Sequence, residues 1–364
     1  MAARCSASGP NDGHHKMEVY QIIILCSFLE SLNSPCLATV LRCCAPSAPP
    51  QVLPLASRRK APPSLRNIHD LRLLLTTGIT QHKQVRQQQP DMESAQTTAP
   101  KAFQAKLLMV GASSSTYRLG EVVIKVPRID QDAEITKANA KAMTVEANVY
   151  RILGSHPLIA NCKYISPTRD MIVLEFYDKG NVKDYVAAHG PTQLRKWAKQ
   201  MMQAVEFVHS KAVRHSDIRL EHWLLDSEMN VQLSDFNSSG HDECLSLGLR
   251  CERALGNEAP SHFMPRDPSD DNSVLSDLFA LGSALYELEQ GSSPYAGEDE
   301  ETITKQFALQ EFPSVSGLTL GCIISRSWKG GFSSASEMCR SGVQIWESKW
   351  TCALFTDDHG EGAA

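Results

Sequence analysis

Apolar residues recur at more than one period along this chain, and the change of period marks out its elements. Residues 121–127, from Glu121 through Val122, Val123, Ile124, Lys125 and Val126 to Pro127, form a β-branched run with one charge near its end and read as a strand. Val145, Val149, Ile152 and Leu153 recur at helical spacing around Glu146 and predict a helix. Residues 162–165 and 171–177 read as two more strands, the second leading into Asp178-Lys179-Gly180. Between residues 193 and 211, Leu194, Trp197, Met201, Val205 and Val208 predict one amphipathic helix, with these side chains in the core. Residues 276–288 are apolar around most of the helical circumference, which suits a helix buried on all sides.

The first hundred residues read differently. They hold ten of the nineteen prolines, among them Pro46, Pro49, Pro50, Pro54, Pro62 and Pro63, so no regular helix can run through them. With Arg58-Arg59-Lys60 and Gln87-Gln88-Gln89-Pro90, residues 1–100 read as a mostly disordered extension, and Met92 is an alternative start of translation. The apolar run at 20–29 is too short to span a bilayer and is flanked by Glu18 and Glu30. The net charge is −5, with the extension basic and the remainder acidic. Neither part is basic enough to argue for nucleic acid, and no membrane partner is expected. Eleven cysteines without a Cys-x-x-Cys pair read as reduced thiols, which sets the expectation of a cytoplasmic or nuclear protein.

Chemistry enters with two acids. His215-Ser216-Asp217 precedes an apolar strand, and Asp235, in Ser234-Asp235-Phe236-Asn237, follows Asp217 by eighteen residues. A strand and a turn lie between them, so both carboxylates fall on loops at one end of a hairpin. One can accept a hydroxyl proton while the other holds a magnesium ion. Lys125 ends a strand as a phosphate-binding lysine would, although taken alone such a lysine is more often a snorkelling edge residue. A helix carrying Glu146 can present it to Lys125. The order of strand lysine, helix glutamate, His-x-Asp and Asp-Phe-x resembles the eukaryotic protein kinase family, from about residue 107 to about residue 335. Ser276-Asp277 and the buried helix that follows, with Gly291-Ser292-Ser293-Pro294-Tyr295 after it, resemble the kinase helix whose first aspartate braces the catalytic loop from below.

The resemblance implies an α+β, bilobal protein kinase-like fold, with a small β-rich N-lobe and a larger helical C-lobe. Residues 101–180 would form the N-lobe and hinge, residues 181–338 the C-lobe, and residues 339–364 a divergent tail. It implies ATP and Mg²⁺ as cofactors and a protein as substrate. Lys125 and Glu146 would orient phosphates, Asp217 would act as base, and Asp235 would bind the metal. Arg219 stands where serine/threonine kinases place a lysine near the γ-phosphate. Backbone groups from Glu175 to Tyr177 would pair with adenine, although Phe176 and Tyr177 read equally as core aromatics. Gly111, Ser113 and Ser114 fall in the phosphate loop, with Met109, Gly111 and Ser114 at the three glycine positions; a Ser-rich hairpin turn is the plainer alternative.

Departures from the family pattern are as informative as the matches. Ser216 replaces the arginine that pairs with a phosphate on the activation segment, removing its electrostatic anchor. His222 replaces the asparagine whose oxygen ligates magnesium; Mg²⁺ prefers oxygen ligands, so an imidazole there puts the second metal position in question, with single-metal catalysis or a shift toward Mn²⁺ as the expected outcomes. Asn237 follows Asp235-Phe236 in place of glycine, where asparagine tolerates left-handed backbone angles. Arg266 replaces a glutamate, and Gly331 occupies the place of its usual arginine partner, so both ends of a buried pair are expected to be missing together. His215 is expected to hold the loop beside the Asp235 turn, and His209 to be a satisfied surface histidine. Two readings follow: a divergent protein serine/threonine kinase, or a pseudokinase scaffold with weak or no turnover. A small-molecule kinase of the aminoglycoside type fits poorly, because the Asp277 helix has no place in it.

Overall fold

The structure is a computed structural model and describes residues 105–267 and 269–347, without the side chains of 345–347. The expected extension at 1–100, with its apolar run at 20–29 and Met92, lies outside the described residues, as does most of the tail.

Five strands come first: β1 (Lys106–Val110), β2 (Ser114–Leu119), β3 (Val122–Pro127), β4 (Cys162–Ile165) and β5 (Ile172–Glu175). They form one sheet in the order β1-β2-β3-β5-β4. β3 lies at its centre, antiparallel to β2 and β5, with Lys125 opposite Thr116 on one side and Ile172 on the other. Helix α1 (Ala133–Leu153) is the crossover between β3 and β4. It starts at Asp132, which accepts from the Glu134 N–H, and stops at Gly154, whose N–H returns to the Tyr150 carbonyl. The strand expected at 171–177 ends at Glu175, and Phe176 and Tyr177 belong to the connector beyond it.

Helices dominate the rest. These are α2 (Val182–His189), α3 (Leu194–Ser210), α4 (Val274–Gln290), α5 (Glu300–Ala308), α6 (Gly321–Trp328) and α7 (Ala335–Glu347). Two short antiparallel sheets lie between α3 and α4: β6 (Val213–Arg214) with β9 (Gly240–His241), and, between them in the chain, the hairpin of β7 (Trp223–Leu225) and β8 (Val231–Leu233). The amphipathic helix expected at 193–211 is α3, and Trp197, Met201, Val205 and Val208 are all buried on its inner face. α4 is the central post of the lobe, with Leu278, Phe279, Leu281, Leu285 and Leu288 in the core. Ser273 and Ser276 close a reciprocal cap at its start, and Gly291 ends it in a left-handed conformation. α7 crosses residue 338 without interruption, so the core helices continue into the segment expected to diverge. Cys162, Cys244, Cys251 and Cys339 are free thiols; Cys322 is disulfide-bonded, against the expectation of reduced thiols throughout. Among the described residues no helix is long and apolar enough to cross a membrane.

α4 and α6 meet at Gly282, where an added Cβ would lie 2.6 Å from Ser327 Cβ. Helix propensity alone favours alanine over glycine by about 1 kcal/mol. Overlap with a side-chain root cannot relax by rotation and dominates, so Gly282→Ala is expected to lower the unfolding free energy by about 1–3 kcal/mol. Urea denaturation measures this, and a variant as stable as the parent would show that the two helices separate at no cost.

Candidate active site

The side chains expected to carry chemistry converge from both lobes. Lys125, on the central strand β3, is buried, and its Nζ lies 3.0 Å from Glu146 Oε1 on α1 and 2.5 Å from Asp235 Oδ1. The snorkelling alternative for Lys125 is thereby excluded. Burial alone would depress the ammonium, but Asp235 and then Glu146 reverse this and hold it above the ordinary lysine value. Asp235 is the mirror case: burial would raise its carboxyl, and the Lys125 ammonium outweighs that to hold it well below the usual range. Burial raises Glu146 more than Lys125 lowers it.

The loop bearing Asp217 rests on Asp277, the first-turn acid of α4. Asp277 Oδ2 accepts from the His215 N–H at 2.8 Å and from His209 Nε2 at 2.9 Å, and Oδ1 accepts from the Ser216 N–H at 2.8 Å. The brace expected from Asp277 is therefore present. His209 is one of its partners and not the surface residue expected from sequence, with a side chain 9 % exposed. His215 donates from Nε2 to the Ser234 carbonyl at 3.0 Å, which leaves Nδ1 to accept from the Asp217 N–H at 3.3 Å. Phe236, fully buried, lies edge-on to Tyr150 of α1 and against His215, and so joins the helix, the Asp235 turn and the catalytic loop.

Asp217 is 2 % exposed, and its two oxygens are held differently. Oδ2 accepts from Asn257 Nδ2 at 3.2 Å; Oδ1 has no hydrogen bond and faces Arg219 Nε at 3.4 Å. Asn257 is a site residue that sequence reasoning missed, since neither its type nor its spacing marks it out. His222 Nδ1 lies 2.8 Å from the Asp217 carbonyl, which can only accept, so this nitrogen carries the proton. Its Nε2 then offers a lone pair, 3.4 Å from both Arg219 Nε and Asp235 Oδ2.

The loop before β2 is a three-residue turn, with the Gly111 N–H donating to the Ser114 carbonyl at 2.8 Å. Of the positions matched to the family's glycines, Met109 lies within β1, Gly111 opens the turn and Ser114 opens β2. Its Ser113 Oγ accepts from Asn237 Nδ2 at 3.1 Å, which ties the turn to the Asp235 loop. In this turn Asp235 takes the left-handed backbone, at φ 65°. At the connector, the Glu175 side chain is occupied by Lys163 at 2.6 Å and Asn161 at 2.9 Å, and the Tyr177 hydroxyl by Asn161 and Gln232. The backbone is partly committed as well, with the Glu175 N–H donating to the Asn161 carbonyl at 2.9 Å, the Phe176 N–H to the Glu121 carbonyl at 3.0 Å, and the Tyr177 carbonyl accepting from the Gly180 N–H at 3.2 Å.

A model of the protein kinase domain matches residues 111–336 of this chain. The chain belongs to the protein kinase domain family. It is similar to the serine/threonine-protein kinase SIK2 of Gallus gallus, 28% identical over 236 residues, which cover 59% of this chain and 29% of that protein. It is similar to CBL-interacting protein kinase 3 of Oryza sativa subsp. japonica, 31% identical over 159 residues, covering 42% and 35%. A third relative is CBL-interacting serine/threonine-protein kinase 8 of Arabidopsis thaliana, 27% identical over 202 residues, covering 53% and 44%. The chain spans less than half the length of each. A protein kinase domain implies ATP and a divalent metal ion. Among the described residues no three of His, Cys, Asp and Glu group as a metal cluster. Asp235 Oδ2 and His222 Nε2 offer two donors, and a cation there would need phosphate and water oxygens for the rest. That donor set fits a metal held jointly with a nucleotide.

Asp277 couples the stability of this kinase domain to pH. Burial alone would raise its carboxyl, but His209 and His215 outweigh it and hold it below the ordinary 3.8. Stability from such a group is complete above the ordinary range and is lost as pH falls through the depressed value. Asp277→Asn, which strands a buried N–H, is expected to cost about 1–3 kcal/mol at pH 7. Its stability should also fall less steeply than the parent's below about pH 4. Urea midpoints across pH measure both, and parallel acid profiles for the two proteins would contradict the assignment.

Proposed function

We propose that this chain is a divergent protein kinase that transfers the γ-phosphoryl group of ATP to serine or threonine hydroxyls of protein substrates. The observation that carries this is Asp217 Oδ1: a buried carboxylate oxygen with no hydrogen bond, on a loop fixed by Asp277, within the cleft that holds Lys125, Glu146 and Asp235. A general base needs a free lone pair in a fixed direction, and Asn257 on Oδ2 supplies the orientation. Arg219 adds a positive charge beside the base, where charge builds on the transferring phosphoryl group. Lys125 is held charged between two carboxylates, ready to meet phosphate oxygens, and adenine would pair with the connector backbone at Tyr177, since the Glu175 and Phe176 N–H groups are bonded within the protein. Asp235 and His222 would hold the divalent ion, which neutralises phosphate charge when bound. One carboxylate oxygen and one imidazole nitrogen favour Mn²⁺ relative to an all-oxygen site. The serine/threonine names of the relatives support the choice of hydroxyl.

One observation favours a second reading, a scaffold with weak or no turnover. Lys125 and Asp235 already pair at 2.5 Å, and Ser113 bonds Asn237, so groups meant for nucleotide and metal satisfy one another.

Asp217→Asn is expected to lower kcat on a generic protein substrate by about 10²–10⁴. The rise in Tm caused by MgATP should match the parent's, because a ligand that binds only the folded state still does so. No transfer by the parent in either Mg²⁺ or Mn²⁺ would favour the scaffold. His222→Asn is expected to raise the Mg²⁺-supported rate and lower the ratio of Mn²⁺ to Mg²⁺ activity; an unchanged ratio would remove His222 from the metal.

A further inference from the structure

Between Asp235 and Pro265 the chain carries four hydroxyl side chains, Ser238, Ser239, Ser246 and Ser261. Three are buried and bonded: Ser238 Oγ to Asn237 Oδ1 at 2.9 Å, Ser239 Oγ to the His215 carbonyl at 3.0 Å, and Ser261 Oγ to His262 Nδ1 at 3.0 Å. Ser246 is exposed at the tip of a hairpin. The loop that bears the base has Ser216 where a phosphate-binding cation would be needed, and its Oγ has no hydrogen-bond partner.

The segment is nevertheless tied down by its own atoms. His241 and Glu252 exchange backbone hydrogen bonds at 2.9 and 2.8 Å, and Cys244 and Leu249 do so at 2.9 and 3.0 Å. Glu252 reaches Lys141 on α1 at 3.0 Å, with side chains 31 % and 53 % exposed. Farther on, the Leu255 and Gly256 N–H groups donate to the Ser238 carbonyl, and the Asn257 N–H donates to the Ser216 carbonyl at 3.1 Å. Next comes a buried charge pair. Arg266 Nη2 lies 2.9 Å from Glu258 Oε1, with side chains 10 % and 4 % exposed, and the Asn272 amide donates to the same oxygen. Arg266 Nη1 donates to the Met264 carbonyl at 3.2 Å, and the guanidinium lies 4.3 Å over the Phe263 ring. Gly256 closes the unit at φ 66°, where an added Cβ would fall 2.7 Å from Asn272 Oδ1. Arg266 is therefore paired with Glu258, a different ion pair from the family's, whose two positions hold Arg266 and Gly331. Near the proposed partner position, Arg326 is turned to the Gly331 carbonyl and to Glu337 instead.

We propose that the Glu258–Arg266–Asn272 unit is an internal lock that sets the segment and, through Asn257, positions Asp217, so that the site is assembled without a phosphate on the segment. The proposal rests on the kinase reading for the role of Asp217 and supplies its regulation. The two ion pairs are unequal. A half-exposed pair such as Lys141–Glu252 shifts a local equilibrium by no more than about fivefold. Removing one partner of a buried pair strands a charge and shifts it by at least about a hundredfold. The lock is thus Glu258–Arg266, with Lys141–Glu252 as a minor tether.

Amide hydrogen exchange of the full chain, before and after phosphatase treatment, tests this. Protection of residues 254–266 is expected to be the same in both. Glu258→Gln and Arg266→Gln should each raise exchange there by at least about a hundredfold while α4 stays protected. The double variant, which strands no charge, should exchange less than either single one. In turnover, each single variant should lower kcat with the KM for ATP unchanged, since neither touches Lys125 or Glu146. Protection that falls on phosphatase treatment overturns the proposal, as do single variants that exchange like the parent. Exchange that rises equally in α4 would make the pair a general stability element and overturn it too. A change in exchange without a change in kcat would remove the positioning role. The exchange readout needs no turnover, so a chain that transfers no phosphate yet keeps this pattern loses its proposed activity and retains the lock.

Discussion

One ammonium group joins three distant parts of this chain. Lys125 Nζ reaches Glu146, twenty-one residues on, and Asp235, 110 residues on, and so ties β3, α1 and the loop after β8 to one point. Two carboxylates that would repel each other are held together by the cation between them. Neither acid could stay ionised in this setting without it, and removing one partner of such a buried group costs about 3–5 kcal/mol, the uncompensated charge being the larger part. The position of α1 relative to the Asp235 turn is therefore an electrostatic requirement as much as a packing one. Phe236 adds the apolar half of the same joint, wedged between Tyr150 and His215.

A second constraint fixes the other half of the site. Ser216 and Asp235 both take left-handed backbone angles, at φ 65°, without being glycine. Each such residue costs about 1–3 kcal/mol unless the surroundings impose it. Around Ser216 the imposition is visible: its N–H and that of His215 are captured by the two oxygens of Asp277, and its carbonyl accepts from Asn257. The Asp217 side chain that follows is buried, with Oδ2 held by Asn257. A carboxylate in the first turn of a helix is also where the helix field favours negative charge. The acid that holds the loop is thus at home in α4 for reasons unconnected with the loop.

Sequence reasoning read the members of this framework that have a fixed place in the order of the chain. Lys125, Glu146, Asp217, Asp235 and Asp277 each stand at a recognisable step of a strand, a helix or a turn, and α3 and α4 carry unmistakable periodicity. What stayed hidden were partnerships that fold formation creates between unremarkable residues. Glu258 and Arg266 are eight residues apart in an irregular segment, where no periodicity predicts which side chains turn inward. Asn257 meets Asp217 across 40 residues and His209 meets Asp277 across 68, and neither pairing follows from local spacing. In the Asp235 turn the left-handed residue is Asp235 itself, whose carboxylate pairs with Lys125 from 110 residues away, and no local preference marks that out.

His222 shows how such a demand reshapes the meaning of a substitution. Read as a sequence change, an asparagine oxygen has been lost from a magnesium site. In the structure the imidazole is fixed at both nitrogens: Nδ1–H is committed to the Asp217 carbonyl, and Nε2 is directed at Asp235 and Arg219. The first of these contacts supports the backbone of the base, so the ring has a task even with no metal present. The second keeps a donor beside Asp235, changed from oxygen to nitrogen. On the proposed reading the substitution retunes which cation the cleft prefers while preserving the loop that carries Asp217. Selection for the loop alone would not require a ring nitrogen facing Asp235, since any side chain able to donate to the Asp217 carbonyl would serve. On that reading a single histidine serves both the backbone of the base and the proposed metal site beside Asp235.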